Sequence, residues 1–99
     1  MRSLLTLLRE TRKTRAARLA VERLDDAAKC VATYHGEKVR LAVLHSHYRS
    51  LIATCDHAND GHWHRYAELQ DARVAVEEQM ATNEKRLIDA ENQLVALSN

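Results

Sequence analysis

The sequence is short of the residues that make tight turns and bulky cores. Among its 99 residues there is no Pro and no Phe, and Gly36 and Gly61 are its only glycines. An all-β domain is excluded, because its many tight turns need residues that preset φ or tolerate positive φ. Hydrophobic residues make up 45% of the chain, but fifteen of them are Ala, and Trp63 and three tyrosines are the only aromatics. The abundance of Ala, Leu, Glu, Arg and Lys is typical of long helices or a coiled coil.

Cysteines and long apolar runs are also scarce. Cys30 and Cys55 would lie roughly 37 Å apart on one helix, too far for a disulfide, so we expect two free thiols. No apolar run approaches the length of a membrane span, so we expect no direct membrane insertion. The net charge is only +1, but seven basic residues against two acidic ones stand in residues 1–24, and four against seven in residues 62–99.

Two heptad tracks run through the chain. In the second half, position a is held by Tyr66, Arg73, Met80, Leu87 and Leu94, and position d by Leu69, Val76, Asn83, Ala90 and Leu97. In the first half, the tracks are Leu24, Val31, Lys38, His45, Ile52 and Ala27, Tyr34, Leu41, Tyr48, Cys55. This spacing predicts two long helices that pack along one stripe. The track keeps its phase across Gly36, so we expect one continuous helix there, with at most a kink.

The turn-like cluster Asp56–Gly61 separates the tracks. The sequence therefore predicts an all-α fold, a long antiparallel two-helix coiled-coil hairpin in one domain over residues 1–99. The expected bounds are a helix over about 3–56, a turn over about 57–61 and a helix over about 62–98. Folding about residue 59 pairs position i with roughly 118 − i, which sets Leu41 against Val76, Tyr34 against Asn83, His45 against Arg73 and Lys38 against Met80.

This register leaves residues 1–18 as an N-terminal helical overhang. It carries Leu4, Leu5, Leu7 and Leu8 and then a run of basic residues. Exposed leucines are unfavourable in water, so we expect either that another molecule covers them or that this part of the helix frays. The second track reaches Leu97 with no C-cap signal, which a chain truncated at its C-terminus would explain.

The chemistry-bearing residues do not form a reactive set. Cys55, His57, His62 and His64 cluster near the turn, but His62 and His64 diverge on a helix, so we expect no metal site. No nucleophile with a base, and no glycine-rich phosphate loop, is present. We therefore expect no enzyme, no catalytic residues and no cofactor. The arginines of the overhang spread around the helix without interleaved aromatics, which favours a solvated or protein-bound face over nucleic acid.

Two segments resemble those of the FliJ/YscO family. Trp63-x-x-Tyr66-x-x-Leu69 is similar to the W-x-x-Y-x-x-F pattern that opens the second helix of that family. Leu41-x-x-Leu44-x-x-x-Tyr48-Arg49 is similar to its L-x-x-Y-x-x-x-Y-R segment before the turn. Two departures are the replacement of the first aromatic by Leu44 and the short length of the chain.

The resemblance implies a non-enzymatic stalk component of a bacterial type III secretion or flagellar export apparatus. Such a protein works in the bacterial cytoplasm, peripheral to the inner-membrane export apparatus. Its implied partners are the export ATPase hexamer, the cytoplasmic domain of the export gate and secretion chaperones. Carried onto this chain, the implied contact residues are Leu4, Leu5, Leu8, Arg12 and Arg15 for the ATPase, and Leu44, Tyr48 and Leu69 for the gate or a chaperone.

Two other functions fit the same residues. One is a helical adaptor unrelated to secretion that homodimerises, with its overhangs pairing with each other. The other is a basic-helix nucleic-acid binder, whose binding would depend steeply on salt.

Overall fold

The computed structural model describes residues 4–55 and 62–99, apart from the side chains of residues 5–8, 10 and 62. The described chain consists of two helices, α1 over Leu4–Ala53 and α2 over His62–Ser98. The two lie side by side, and the radius of gyration is 24.4 Å. A globular chain of this length would have about 13 Å. The molecule is therefore a rod, with a long axis of 90 Å against cross-sections of 18 and 14 Å.

Cross-helix contacts fix the direction of the two helices. The side-chain amide of Asn83 reaches the backbone oxygen of Tyr34, and Glu77 reaches His45. Later positions of α1 thus meet earlier positions of α2, so the helices are antiparallel. The Tyr34–Asn83 pair has a residue sum of 117, within one residue of the predicted register. The expected helical hairpin is confirmed.

The side chains between the helices follow the predicted heptad tracks, a stripe that we call the seam. Its most buried members are Leu41 and Leu87, at 1% and 2% exposure, with Val76 and Ala27 also buried. All other described track positions are at least half-buried except Lys38, which is exposed. The placement of Lys38 in a layer with Met80 was wrong. Its ammonium group leaves the seam, because a buried cation would need a partner there, and its Nζ lies 3.5 Å from Oε2 of Glu84.

Gly36 does not interrupt α1, which runs unbroken over 50 residues. A Cβ added at this glycine would meet nothing within 4 Å, and its φ is not positive. The glycine therefore serves neither a close approach nor a turn. Its cost of roughly 1 kcal/mol relative to Ala is outweighed by packing on both sides.

α1 ends earlier than residue 56, the end expected from the heptads. The backbone nitrogen of Cys55 donates to the oxygen of Ile52, three residues back, instead of four. This tighter last turn provides a hydrogen-bond donor for a backbone carbonyl that would otherwise have none at the end of the helix. The predicted turn at 57–61 lies outside the described residues.

Candidate interaction surfaces

The first surface is the N-terminal part of α1, which extends past the end of α2. With the register of Tyr34 and Asn83, Asn99 is level with residue 18. We call residues 4–17 the arm, and the end of the hairpin from which it projects the open end. The arm is about 21 Å of helix. It contains every residue predicted to face the ATPase: Leu4, Leu5, Leu8, Arg12 and Arg15.

The described side chains of the arm are exposed. Leu4 is 74% exposed, and Arg12 and Arg15 are also open to solvent. Leu5 and Leu8 belong to α1, but the structure does not describe their side chains. Exposure continues just beyond the arm at Leu19 and Val21, at 41% and 64%. The seam thus begins near Leu24, and Leu4, Leu19 and Val21 before it are exposed.

The second predicted surface lies near the other end of the hairpin. Leu44, Tyr48 and Leu69 are each half-buried. By the register, Tyr48 and Leu69 are level with each other across the seam, and the Tyr48 ring also lies 6.2 Å from the ring of His47. Tyr48 and Leu69 therefore pack in the seam and keep only part of their surface accessible. Leu44 lies at the edge of the seam.

A row of charged pairs crosses one flank of the hairpin, and the residue pattern alone did not predict these pairs. Oε1 of Glu91 lies 3.1 Å from Nε2 of His35, and Oε2 of Glu84 lies 3.5 Å from Nζ of Lys38. Glu77 meets His45 at 3.0 Å. The three glutamates are seven residues apart, so they lie in one column along α2. The pairs could have been predicted from the Lys or His residue that stands on α1 near each of these glutamates.

One carboxylate oxygen of Glu77 contacts two side chains, those of His45 and Arg73. Its Oε1 lies 3.0 Å from Nε2 of His45 and 2.8 Å from Nη1 of Arg73. The hydrogen bond from His45, together with the charges of Arg73 and His45, lowers the pKa of Glu77 below its usual 4.5, although desolvation opposes this. His45 and Arg73 were predicted to face each other, and the structure brings them together through this carboxylate.

An apolar line also runs along the outer side of α2. Its members repeat every seven residues and are all exposed: Ala67, Val74, Ala81, Ile88 and Val95. On α1, Val39 and Val43 are similarly open, at 64% and 66%. Scattered exposed valines are ordinary on a protein surface and do not by themselves indicate a site.

Thiols and histidines were the other candidates for chemistry. Cys30 and Cys55 are both free. Within residues 4–55 and 62–99, no group of three or more His, Cys, Asp or Glu side chains could hold a metal ion. His57 lies outside the described residues, as does the side chain of His62. Over the same ranges, neither helix has a stretch apolar enough to cross a membrane.

The chain was compared with protein-family models, curated proteins and solved structures, and nothing matches it in any of the three.

Proposed function

We propose that the chain is a non-enzymatic stalk component of a bacterial type III secretion or flagellar export apparatus. The observation that carries this proposal is the exposure of the apolar Leu4 and of the basic side chains in the N-terminal part of α1. A lone helix is about 10–12 Å wide with its side chains, so the proposal requires a ring opening at least that wide.

The arm supplies the chemistry for binding the export ATPase hexamer. Its four basic residues, Arg9, Arg12, Lys13 and Arg15, stand against the single acid Glu10. An apolar helix with this charge suits an opening lined by apolar and acidic side chains, because charges steer the encounter and burial of leucines stabilises the complex. In this proposal Leu4, Leu5, Leu8, Arg12 and Arg15 contact the ATPase.

The second proposed contact is with the export gate or a secretion chaperone, through Leu44, Tyr48 and Leu69. Leu44 and Tyr48 lie about 48 Å and about 54 Å along α1 from Arg12, and Leu69 on α2 is level with Tyr48. The hairpin could therefore touch the ATPase at one end and another component at the other. We propose that the protein works in the bacterial cytoplasm, peripheral to the inner-membrane export apparatus.

Binding of the full chain to a purified export ATPase tests the first contact. Leu5→Asp is expected to abolish binding, because it places a carboxylate in an apolar contact. The melting temperature of the hairpin should stay nearly unchanged, because Leu5 precedes the seam. Val39→Asp, on the exposed outer side of α1, is the control and should bind like the wild-type chain. Absence of ATPase binding by the wild-type chain, or equal loss in both variants, would reject the proposal.

Binding to the isolated gate domain tests the second contact. Leu44→Ala should weaken it several-fold with little effect on ATPase binding, since Leu44 is far from the arm. The seam also uses part of Leu44, so the melting temperature is measured in parallel. If Leu44→Ala lowers the melting temperature but leaves gate binding intact, Leu44 has only a packing role.

A further inference from the structure

A small cavity lies between the helices toward the end of the hairpin opposite the open end. Its volume is about 230 Å³, and it is lined by Arg49, Ile52 and Ala53 of α1 and by Gln70 and Arg73 of α2. Two guanidinium groups, one from each helix, thus border the same space. We call it the arginine cavity.

Arg73 occupies a position of the seam that the heptad pattern normally gives to an apolar residue. It is half-buried, with 32% of its side chain exposed. A charged group on the packed side of a helix pair loses solvation, and a well-packed apolar residue there is often at least as stabilising. Positions that break a local rule in this way are expected at functional sites. Packing of the seam therefore does not explain an arginine here.

A chain of hydrogen bonds fixes the guanidinium group of Arg73. Its Nε donates to Oε1 of Gln70 at 2.9 Å, and its Nη1 donates to Oε1 of Glu77 at 2.8 Å. Gln70 is held in turn, because its Nε2 donates to the hydroxyl oxygen of Tyr66 at 2.8 Å. Both ends of the Gln70 amide are thus used within the protein. Arg73 is held in one orientation, while its Nη2 donates to no described residue and is available to a ligand.

Arg49 brings a second cation to the cavity from the other helix. It is exposed and forms no hydrogen bond or ion pair with the described residues. No carboxylate belongs to the described residues that line the cavity. Glu77 balances the charge of its neighbour Arg73, so with His45 neutral the full positive charge of Arg49 remains. The cavity therefore favours an anion.

The other lining residues narrow the kind of anion. Guanidinium groups bind the oxygens of carboxylates and phosphates through parallel pairs of hydrogen bonds. Ile52 and Ala53 add an apolar wall beside the two guanidinium groups. A carboxylate or phosphate that is joined to a small apolar group would use both parts of this lining.

We propose that the arginine cavity binds the carboxylate or phosphate group of a ligand whose apolar part rests on Ile52 and Ala53. Arg73 is the fixed binding group, and Arg49 adds its charge from the opposite helix. Because the cavity is shallow, the Kd for an isolated small anion should be about 1–10 mM. The site does not depend on the proposed stalk function, and it includes none of the contact residues of that proposal.

Phenyl phosphate and benzoate, added to the full chain at constant ionic strength, are the probes. The Nε–H signals of Arg49 and Arg73 in ¹H–¹⁵N spectra should shift and saturate, and that of Arg65 should not. The probe that binds more tightly identifies phosphate or carboxylate as the preferred group. If neither probe shifts the signals of Arg49 and Arg73 at about 50 mM, well above the expected Kd, the proposal is overturned.

Two variants that remove the same charge test the position of the site. Arg49→Gln should raise the Kd of the better probe at least about fivefold, and Arg65→Gln should leave it within about twofold. Arg65 stands five residues before Gln70, which places it about 140° around α2 from the cavity. Both arginines are exposed, so helix content measured by circular dichroism should not change. Equal weakening by the two variants would show that binding follows net charge alone, which overturns the proposal.

Arg73→Leu separates binding from packing. Leu suits the heptad track, so this variant should keep its helix content. Binding of both probes should nevertheless be lost, because the fixed guanidinium group is gone. A folded Arg73→Leu variant that binds the probes like the wild-type chain overturns the assignment of Arg73.

Discussion

Asn83 donates from Nδ2 to the backbone oxygen of Tyr34 on the other helix, at 3.0 Å. Asn83 is 7% exposed and is the only buried polar residue in the described part of the chain. A buried amide costs free energy unless it is hydrogen-bonded, so this bond is available only when Asn83 is level with Tyr34. A polar pair of this kind fixes the register of a helix pair at some cost in stability.

Replacement of Asn83 separates these two effects. Asn83→Ala should lower the free energy of unfolding by about 1–2 kcal/mol, through loss of the hydrogen bond and of packing. Asn83→Leu should leave it unchanged or raise it, because an apolar side chain replaces a desolvated amide. Thermal and urea unfolding measure both. If Asn83→Leu lowers the free energy of unfolding as much as Asn83→Ala does, the hydrogen bond stabilises the hairpin more than we infer.

The seam should respond to a buried charge, and the outer side of α1 should not. Leu87→Asp places a carboxylate at a position that is 2% exposed, so we expect the hairpin to unfold or to melt far lower. Val39→Asp makes a similar change at a position that is 64% exposed, so its melting temperature should shift by only a few degrees. Circular dichroism melts compare the two. Similar melting of both variants would contradict the assignment of the seam.

Much of this architecture is predictable from the residues, because a heptad repeat specifies both the helix and the side that it buries. Leu41 and Val76 were paired from their tracks alone, and both are buried. Lys38 was misplaced because the repeat gives a direction but not the length of a side chain. A long flexible amine can leave an apolar layer and reach a carboxylate such as Glu84.

The contact surfaces were harder to derive, since they depend on where two helices end relative to each other. The overhang follows from the register, and so does the pairing of Ala27 with Ala90. The sharing of Glu77 by His45 and Arg73 depends instead on rotamers that no spacing rule gives.

Gly36 offers a way to stabilise α1 without changing a contact. An added methyl group would meet nothing within 4 Å, and Ala is better than Gly in a helix interior. Gly36→Ala should raise the free energy of unfolding by about 0.5–1 kcal/mol. Ala32→Gly, at another exposed position four residues earlier, should lower it by a similar amount. A destabilising Gly36→Ala would mean that the outer side of α1 is covered at this point in solution.

The loss of stability at acidic pH should depend on Glu77. Its pKa in the hairpin is lowered from 4.5, chiefly by the hydrogen bond from His45. In the unfolded chain this pKa returns to its usual value, so the unfolded state takes up the proton first as pH falls. The contribution of Glu77 to stability is therefore fully present above about pH 4.5 and is lost as pH falls through the folded-state pKa. Glu77→Gln should lower the melting temperature at neutral pH and should lose less stability than the wild-type chain on acidification.

Melting temperatures between about pH 3 and about pH 7 measure this difference. Glu78→Gln removes an exposed carboxylate from the next position of α2 and is the matched control, which should follow the wild-type curve. The curves of Glu77→Gln and wild type should converge at the acidic end, where both side chains are neutral. Curves that stay parallel over the whole range would show that the pairs of Glu77 with His45 and Arg73 do not stabilise the hairpin.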